Sequence, residues 1–217
     1  MDEKIEKLMA ALRKNNMTAF YVDNKEEAAK LVMSLIPEGA SVTHGGSESI
    51  KECGIIDIIR EGNGSRVEYL DRSAPGLTPA DVQEIYARTF SADVFLASAN
   101  AITMDGALYN VDGNSNRIAA IAYGPKSVIV VAGVNKIVGT LEEAVERVRA
   151  IAAPKNCVRL KRETFCAKTG HCVCRSGEPM GAGCGSPDRI CCNFLVSGMQ
   201  RFKDRIKVVI VGEELGY

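Results

Sequence analysis

The chain has 217 residues, of which 46% are hydrophobic and 25% charged, and its 27 basic side chains balance 27 acidic ones. This length and composition predict one globular domain. A net charge of +0 offers no basic face for a polyphosphate, so we exclude nucleic acid as a partner. No apolar run approaches the ~20 residues that a membrane-spanning helix needs, so we expect no membrane segment.

The N-terminus reads MDEKIEKL, which is acidic and amphipathic. A secretory signal needs a basic start followed by an apolar block, so the sequence predicts a cytoplasmic protein. Thiols stay reduced in that compartment. The eight cysteines therefore indicate metal ligation or redox chemistry before they indicate a disulfide framework.

Helix and strand patterns alternate along the first 154 residues. Helical spacing of apolar residues, capping residues and proline positions predict helices at 5–15, 24–36, 50–59, 78–90, 117–123 and 140–153, the last ended by Pro154. Short apolar runs predict strands at 19–23, 40–44, 65–71, 93–99 and 127–134, and one more from Lys207 onward. Strands that alternate with helices predict an α/β fold with a largely parallel sheet.

The first candidate site is the segment Thr43–Ser49, where a predicted strand runs through Gly45 and Gly46 into a helix. Glycines let a backbone come close to a ligand, and free amides at a helix start favour an anion. Such a site would bind a phosphate or a carboxylate. The alternative is a tight turn without a ligand, and His44 is either a hydrogen-bonded structural histidine or a proton-transfer group.

The second candidate site is the segment 99–117, which follows a predicted parallel strand. It holds four Asn, two Asp, two Gly and Arg117. Open α/β sheets bind ligands at the carboxyl ends of their strands, which favours a polar binding loop here. Surface turns also use Asn, Asp and Gly, so an ordinary loop remains the alternative.

The third candidate site is a cysteine-rich segment, residues 154–193, which has little periodicity and is followed by the last predicted strand. Thiolates on short turns can converge on one metal ion at ~2.3 Å, and four of them satisfy zinc or an iron-sulfur cluster. The predicted ligands are Cys166, Cys172, Cys184 and Cys191, with Cys174, Cys192 and His171 as alternates. Zinc and iron-sulfur stay equally open, and a redox dithiol or inert thiols are the other readings. Cys53 and Cys157 are predicted to be plain buried thiols.

Five stretches together resemble one known family, the LUD (lactate utilization) domain family, which includes the lactate utilization protein C subunits. They are THGGSES, DVFLASANAITMDGALYNVDGNSNRIAA, GPKSVIVVAGVNKIV, AAPKNCVRL and VGEELGY. The family is similar to the superfamily of ribose-5-phosphate isomerase, glucosamine-6-phosphate deaminase and coenzyme A transferases. This resemblance implies a doubly wound α/β fold, with residues 1–217 as a single LUD-type domain and the cysteine-rich segment inserted before the last strand.

The resemblance also implies a small-anion site. Its residues would be Gly45, Gly46, Ser47, Asn100, Asn110, Asn114, Asn116, Arg117 and Lys136. In the related sugar-phosphate enzymes a carboxylate near this DG position does acid or base work, which makes Asp105 the candidate catalytic residue.

The function that the resemblance implies is lactate or organic-acid utilization, with a bound small carboxylate or phosphate and a cluster that passes electrons. Iron-sulfur oxidoreductase subunits are the expected protein partners, and a homodimer is left open. One alternative is a non-catalytic scaffold whose cysteine-rich segment is a zinc-stapled surface for a partner. Another is an isomerase or transferase for phosphorylated or coenzyme A-linked substrates. Whether the protein is an enzyme is left open, because kinship of fold does not transfer an activity.

Overall fold

A computed structural model describes residues 2–62 and 66–217. Within these residues six strands form one sheet in the order β1-β10-β7-β4-β2-β3, and every neighbouring pair is parallel. The strands are β1 Thr18–Val22, β2 Ser41–His44, β3 Glu68–Tyr69, β4 Val94–Ala97, β7 Ser127–Gly133 and β10 Ile206–Val211. The predicted α/β fold with a mostly parallel sheet is confirmed. The predicted strand 65–71 is shorter here, and its first residue, with the preceding Asn63 and Gly64, lies outside the described residues.

Both faces of this sheet are covered, as the alternation of side chains along the central strands shows. Val128 and Val130 of β7 pack into a core that contains the N-terminal helix. Ile129 and Val131, which point the other way, pack into a second core with the helices that follow β1 and β2. The sheet is therefore doubly wound, as the resemblance implied.

The helices largely follow the predicted positions. They are α1 Glu3–Lys14, α2 Lys25–Leu35, α3 Glu48–Glu52, α4 Ile55–Glu61, α5 Pro79–Thr89, α6 Asn116–Ala122, α7 Leu141–Arg147, α8 Ala153–Arg159 and α9 Phe165–Thr169. The single helix predicted over 50–59 is two helices, because Gly54 adopts a left-handed φ of 68° between them. No helix in the described part of the chain is long and apolar enough to cross a membrane.

The segment expected to be a polar loop is instead part of a second sheet. This sheet has the order β8-β5-β6-β9, with β5 Ala101–Thr103, β6 Leu108–Asp112, β8 Ile137–Val138 and β9 Asn193–Ser197. β6 is antiparallel to both neighbours. Its Leu108 packs into the core that contains α1, whereas Tyr109 packs against α7 and the helical turn after it. Asn, Asp and Gly are frequent in this segment and are typical of loops, so its composition predicted a loop and not strands.

The helix expected to end at Pro154 continues beyond it, so that prediction was wrong. A π-helical turn, Val148–Ala152, joins α7 to α8, and Pro154 lies in the first turn of α8. A proline is tolerated in a first turn because its missing N–H has no intrahelical partner there. The continuation carries the helix on to Arg159, which lies at the cavity described below.

Candidate functional site

A polar cavity of about 380 Å³ lies at the carboxyl edge of the parallel sheet. Residues that follow β2, β3, β4 and β7 line one side of it, and the end of β6, the C-terminal part of α8 and the segment Pro187–Ile190 line the other. This is the edge where open α/β sheets bind ligands. A cavity of this volume is in the range of small-molecule sites, about 300–1,000 Å³.

Most of the predicted anion-site residues lie in this cavity wall. They are Gly46, Ser47, Asn100, Asn114, Asn116, Arg117 and Lys136. Ser47 also accepts a hydrogen bond from the Ile50 amide at 3.2 Å, which caps α3. Predicted residues from three separate segments of the sequence therefore line one cavity.

Arg117 is a structural hub. Its guanidinium donates to the Ser98 and Val111 carbonyls and to the side-chain oxygens of Asn100 and Asn110, at 2.7–3.1 Å. It also forms an ion pair with Asp112, in which both side chains are 11% exposed. All five of its N–H donors thus have protein acceptors. Arg117 ties the end of β6 to the end of β4 and has no donor left for an anion.

Two predicted residues lie behind Arg117 and do not line the cavity. Asn110 is fully buried and accepts from Arg117, while its side-chain nitrogen has no hydrogen-bond partner among the described residues. A Cβ atom on Gly45 would lie 2.9 Å from two carbons of the Arg117 side chain. Glycine is thus required at position 45 so that Arg117 can pack against the backbone.

Asp105 lies in the turn between β5 and β6, away from the cavity. It is exposed, its side chain accepts a hydrogen bond from Thr103, and its carbonyl accepts from Asn15 at 2.9 Å. Gly106 beside it packs onto the C-terminal end of α1. The turn that the DG sequence encodes faces α1, so the structure separates the candidate catalytic carboxylate from the predicted anion site.

Lys136 is the most buried cation of the cavity, with 4% exposure. It follows β7 in a short 3-10 turn, Val134–Lys136, and its Nζ atom donates to Ser49 Oγ at 2.8 Å and Ser98 Oγ at 3.1 Å. Burial, together with the nearby positive charges of Arg147 and Arg117, lowers the pKa of Lys136 to about 7.

Four arginines that sequence reasoning missed complete the wall: Arg72, Arg159, Arg162 and Arg189. Arg72 donates to the Tyr86 hydroxyl at 3.0 Å, and its guanidinium lies 5.6 Å from the centre of that ring. Arg159 pairs with Glu48 at 3.4 Å. These side chains come from separate segments of the chain and carry no local motif, so only the folded chain brings them together.

His44 is set back from the cavity wall. It stacks on Tyr69 at 5.9 Å, and its Nδ1 atom lies 2.9 Å from the Gly45 carbonyl. Its Nε2 atom is buried without a partner in the described residues. Burial lowers the pKa of His44, which favours a neutral, structural histidine.

The four predicted metal ligands line one second, largely apolar pocket, which we call the thiol pocket. Its cysteines are Cys166, Cys172, Cys184 and Cys191. Tyr109, Phe165, Val173 and Phe194 form part of its apolar lining. The alternates do not face it: Cys192 is exposed, Cys174 donates its amide to Cys172 Sγ at 3.5 Å, and His171 packs edge-on against Phe165.

Across residues 2–62 and 66–217, no three His, Cys, Asp or Glu side chains are arranged to hold a single metal ion. The thiols thus converge on one pocket without forming a compact tetrahedron. Cys53 and Cys157 are buried, and burial raises their pKa values to about 11 and about 12.

The polar cavity and the thiol pocket share one wall, the segment from Pro187 to Cys191. Asp188 and Arg189 face the cavity, and Cys191 faces the thiol pocket. Arg189 donates through Nε to the Cys191 carbonyl at 2.9 Å and contacts its Sγ atom at 3.3 Å. A charge change at this thiol would therefore act directly on a cation of the ligand cavity.

Comparisons with known proteins identify a family and a solved structure of similar fold. The family model described as the LUD domain matches residues 5–211. The crystal structure of a DUF162 family protein from Deinococcus radiodurans is similar over 97% of each chain, with 17% sequence identity and a TM-score of 0.52. Ribose 5-phosphate isomerase A from Methanocaldococcus jannaschii aligns over 77% of this chain and 76% of its own, with 16% identity and a TM-score of 0.37. No curated protein sequence matches the chain.

Proposed function

Because this chain belongs to the LUD domain family, we propose that it acts in the use of lactate or a related organic acid and binds a small carboxylate or phosphate in the polar cavity. This proposal rests on the positive charge of the cavity wall. Among the described residues, five arginines, Lys136 and three carboxylates line it, so the arginines alone outnumber the carboxylates. Arg117 and Asp112 neutralise each other, which leaves an excess of positive charge for an anionic guest.

Arg72 is the cation best placed to bind that guest. It lies in the cavity wall next to Gly46, and it makes no salt bridge with the part of the chain that the structure describes. Its hydrogen bond to Tyr86 uses one of its five donors. The remaining donors can form the paired hydrogen bonds that a carboxylate or phosphate accepts from a guanidinium.

Replacing Arg72 with Met should weaken anion binding. Hydrogen bonds to a charged group contribute about 1.5–3 kcal/mol, so we expect the Kd to rise roughly ten- to hundredfold. Isothermal titration with lactate, pyruvate and inorganic phosphate measures this and shows which anion class binds.

The matched control is Arg201→Met, which removes an exposed arginine that does not line the cavity. It should leave the Kd unchanged. Equal affinities for all three proteins, or no binding of any of the three anions to the unaltered protein, would refute the proposed anion site.

We further propose that the thiol pocket holds an iron-sulfur cluster, with a structural zinc ion as the alternative. Four cysteines around one pocket are the donor set that clusters use. All four predicted ligands line this pocket. A bound cluster would supply one-electron transfer beside the ligand cavity.

The adjacent pair Cys191 and Cys192 offers a matched test of this cofactor. Protein purified anaerobically should contain iron and acid-labile sulfide and absorb near ~400 nm. Cys191→Ser should lose most of the iron and colour, because Cys191 lines the thiol pocket, whereas Cys192→Ser should keep both, because Cys192 is exposed outside it. If the protein contains zinc without iron, the cysteine-rich segment has a structural zinc site and the cluster is refuted. Equal iron loss in both variants would refute the ligand assignment.

A further inference from the structure

Lys136 has an environment unlike that of a cation that simply balances an anion. It is 4% exposed yet lines the polar cavity, and its only direct hydrogen-bond partners among the described residues are the hydroxyls of Ser49 and Ser98. A buried ammonium normally has a carboxylate partner, because burial of an unpaired charge is costly. No salt bridge to Lys136 occurs within residues 2–62 and 66–217.

The two serines act as acceptors toward Lys136, since their own protons have other acceptors. Ser49 donates to the Leu215 carbonyl at 3.2 Å, and Ser98 donates to the Ala99 carbonyl at 3.3 Å. Both Oγ atoms thus accept hydrogens from Nζ. A neutral amine has two hydrogens and one lone pair, so this arrangement uses both hydrogens and leaves the lone pair without a donor among the described residues.

The charges around Lys136 also favour the neutral amine. Arg147 and Arg117 repel the protonated form, and Glu52 is the one acidic group that favours it, with a weaker effect than burial and the two arginines. Arg147 is fixed by hydrogen bonds to the carbonyls of Asn135 and Asn100, so its charge stays beside the lysine. Arg117 is fixed by its own network.

We propose that Lys136 is a nucleophile that captures an anionic carbonyl compound as an imine at the floor of the cavity. This inference rests on the proposed anion site, and it narrows the ligand class to molecules that carry both a negative charge and an aldehyde or ketone. The charge would be held by the unpaired cations of the wall, such as Arg72, and the carbonyl carbon would meet Nζ.

The reaction balances without an oxidant or a further reactant. The Nζ lone pair attacks the carbonyl carbon, a C–N bond forms, and the carbonyl electron pair moves to oxygen. The two amine hydrogens then leave with that oxygen as water, and the product is a C=N bond between Lys136 and the ligand. A lysine amine activated by burial and a neighbouring cation is suited to this chemistry.

Reductive trapping tests the proposal. The full-length protein is incubated with pyruvate, a 2-oxo acid, or with glyceraldehyde 3-phosphate, a phosphorylated aldehyde, and sodium cyanoborohydride then reduces any imine to a stable amine. Peptide mass spectrometry locates the adduct. We expect one adduct, on Lys136, from the carbonyl compound whose anion class binds.

Two controls separate a specific reaction from a general one. Lys136→Arg keeps a cation but cannot form the imine, so the adduct should vanish, whereas Lys155→Arg removes an exposed lysine outside the cavity and should leave it intact. Lactate has the carboxylate of pyruvate but a hydroxyl in place of its carbonyl. It should form no adduct and should slow trapping of pyruvate by competition if the cavity binds carboxylates.

Because burial, Arg147 and Arg117 lower the pKa of Lys136 to about 7, the trapping rate should rise with pH and level off above about that value. An exposed lysine has a pKa near ~10.4, so Lys136 should react at least roughly a hundredfold faster than exposed lysines at neutral pH. Labelling spread evenly over exposed lysines, or a rate still rising at pH 9, would overturn the proposal.

Anion titration distinguishes the failure of this inference from the failure of the proposed function. If lactate, pyruvate or phosphate binds but neither carbonyl compound is trapped at Lys136, the imine is refuted and the anion site stands. If no anion binds and no adduct forms, both are refuted. An adduct on Lys136 of the unaltered protein, with no adduct in Lys136→Arg, supports both the imine and the anion site.

Discussion

The variant Arg117→Met should lose about 3 kcal/mol of unfolding free energy, the lower end of the cost of removing one partner from a buried ion pair, because this pair is largely but not fully buried. The substitution leaves Asp112 without its cation and removes the donors that Asn100, Asn110 and the Val111 carbonyl now share. Denaturation by urea, followed by circular dichroism, measures the loss.

The control for this variant is again Arg201→Met, since an exposed arginine outside any buried network should change stability by less than about 0.5 kcal/mol. The double variant Arg117→Met with Asp112→Asn should recover part of the loss, because both charges are then removed together while the asparagine oxygen can still accept from the Arg117 and Ile118 amides. If Arg117→Met instead kept full stability and lost only anion affinity, Arg117 would be a ligand residue, and the hub role described above would be wrong.

Arg117 shows how far sequence reasoning reached at the candidate site. The position of its segment after a parallel strand correctly placed it at the carboxyl edge of the sheet, because strand order and the rule for ligand sites need only the alternation of helices and strands. Its role depends on which donors remain unused, and that is decided by Ser98, Asn100 and Asn110, which meet it only after β4 and β6 have formed. The family resemblance had implied an anion-binding arginine.

The fold was predicted well where apolar patterns are long and poorly where strands are short. β7 and β10 bury almost every side chain, so their apolar runs identified the parallel sheet. β5 and β8 have three and two residues, too few for a visible period, and the second sheet was missed with them. Two of the missed arginines depend on other features: Arg159 lies on the helix that continues past Pro154, and Arg189 lies in the irregular segment that precedes β9.

At the thiol pocket, the four cysteines chosen as predicted metal ligands line one pocket. Cys166, Cys172, Cys184 and Cys191 come from a helix and from irregular segments, and all four line one pocket. Short turns between cysteines limit how far apart the thiols can lie, so sequence proximity carries geometric information here. The identity of a bound metal depends on distances between the sulfur atoms, which sequence spacing does not determine.

Gly106→Ala should be strongly destabilising, although it replaces a glycine in a surface hairpin. Gly106 has a φ of 82°, and a Cβ atom there would lie 2.7 Å from the Ala11 carbonyl carbon and 2.8 Å from the Leu12 amide nitrogen. A left-handed conformation costs a residue with a Cβ about 1–2 kcal/mol, and forced overpacking typically adds about 1–3 kcal/mol. We therefore expect Gly106→Ala to lose about 2–5 kcal/mol of unfolding free energy, measured by urea denaturation.

Gly76 supplies a control with the same backbone conformation. Its φ is 84°, and no atom lies within 4 Å of the position that a Cβ would take. Gly76→Ala therefore has the conformational cost without the contact with α1. It should lose about 1 kcal/mol of unfolding free energy, because the alanine also restricts the unfolded chain. The difference between the two variants isolates the packing of the β5–β6 turn against α1. Equal losses would show that this contact contributes nothing, and would reopen the question of what the turn that holds Asp105 does.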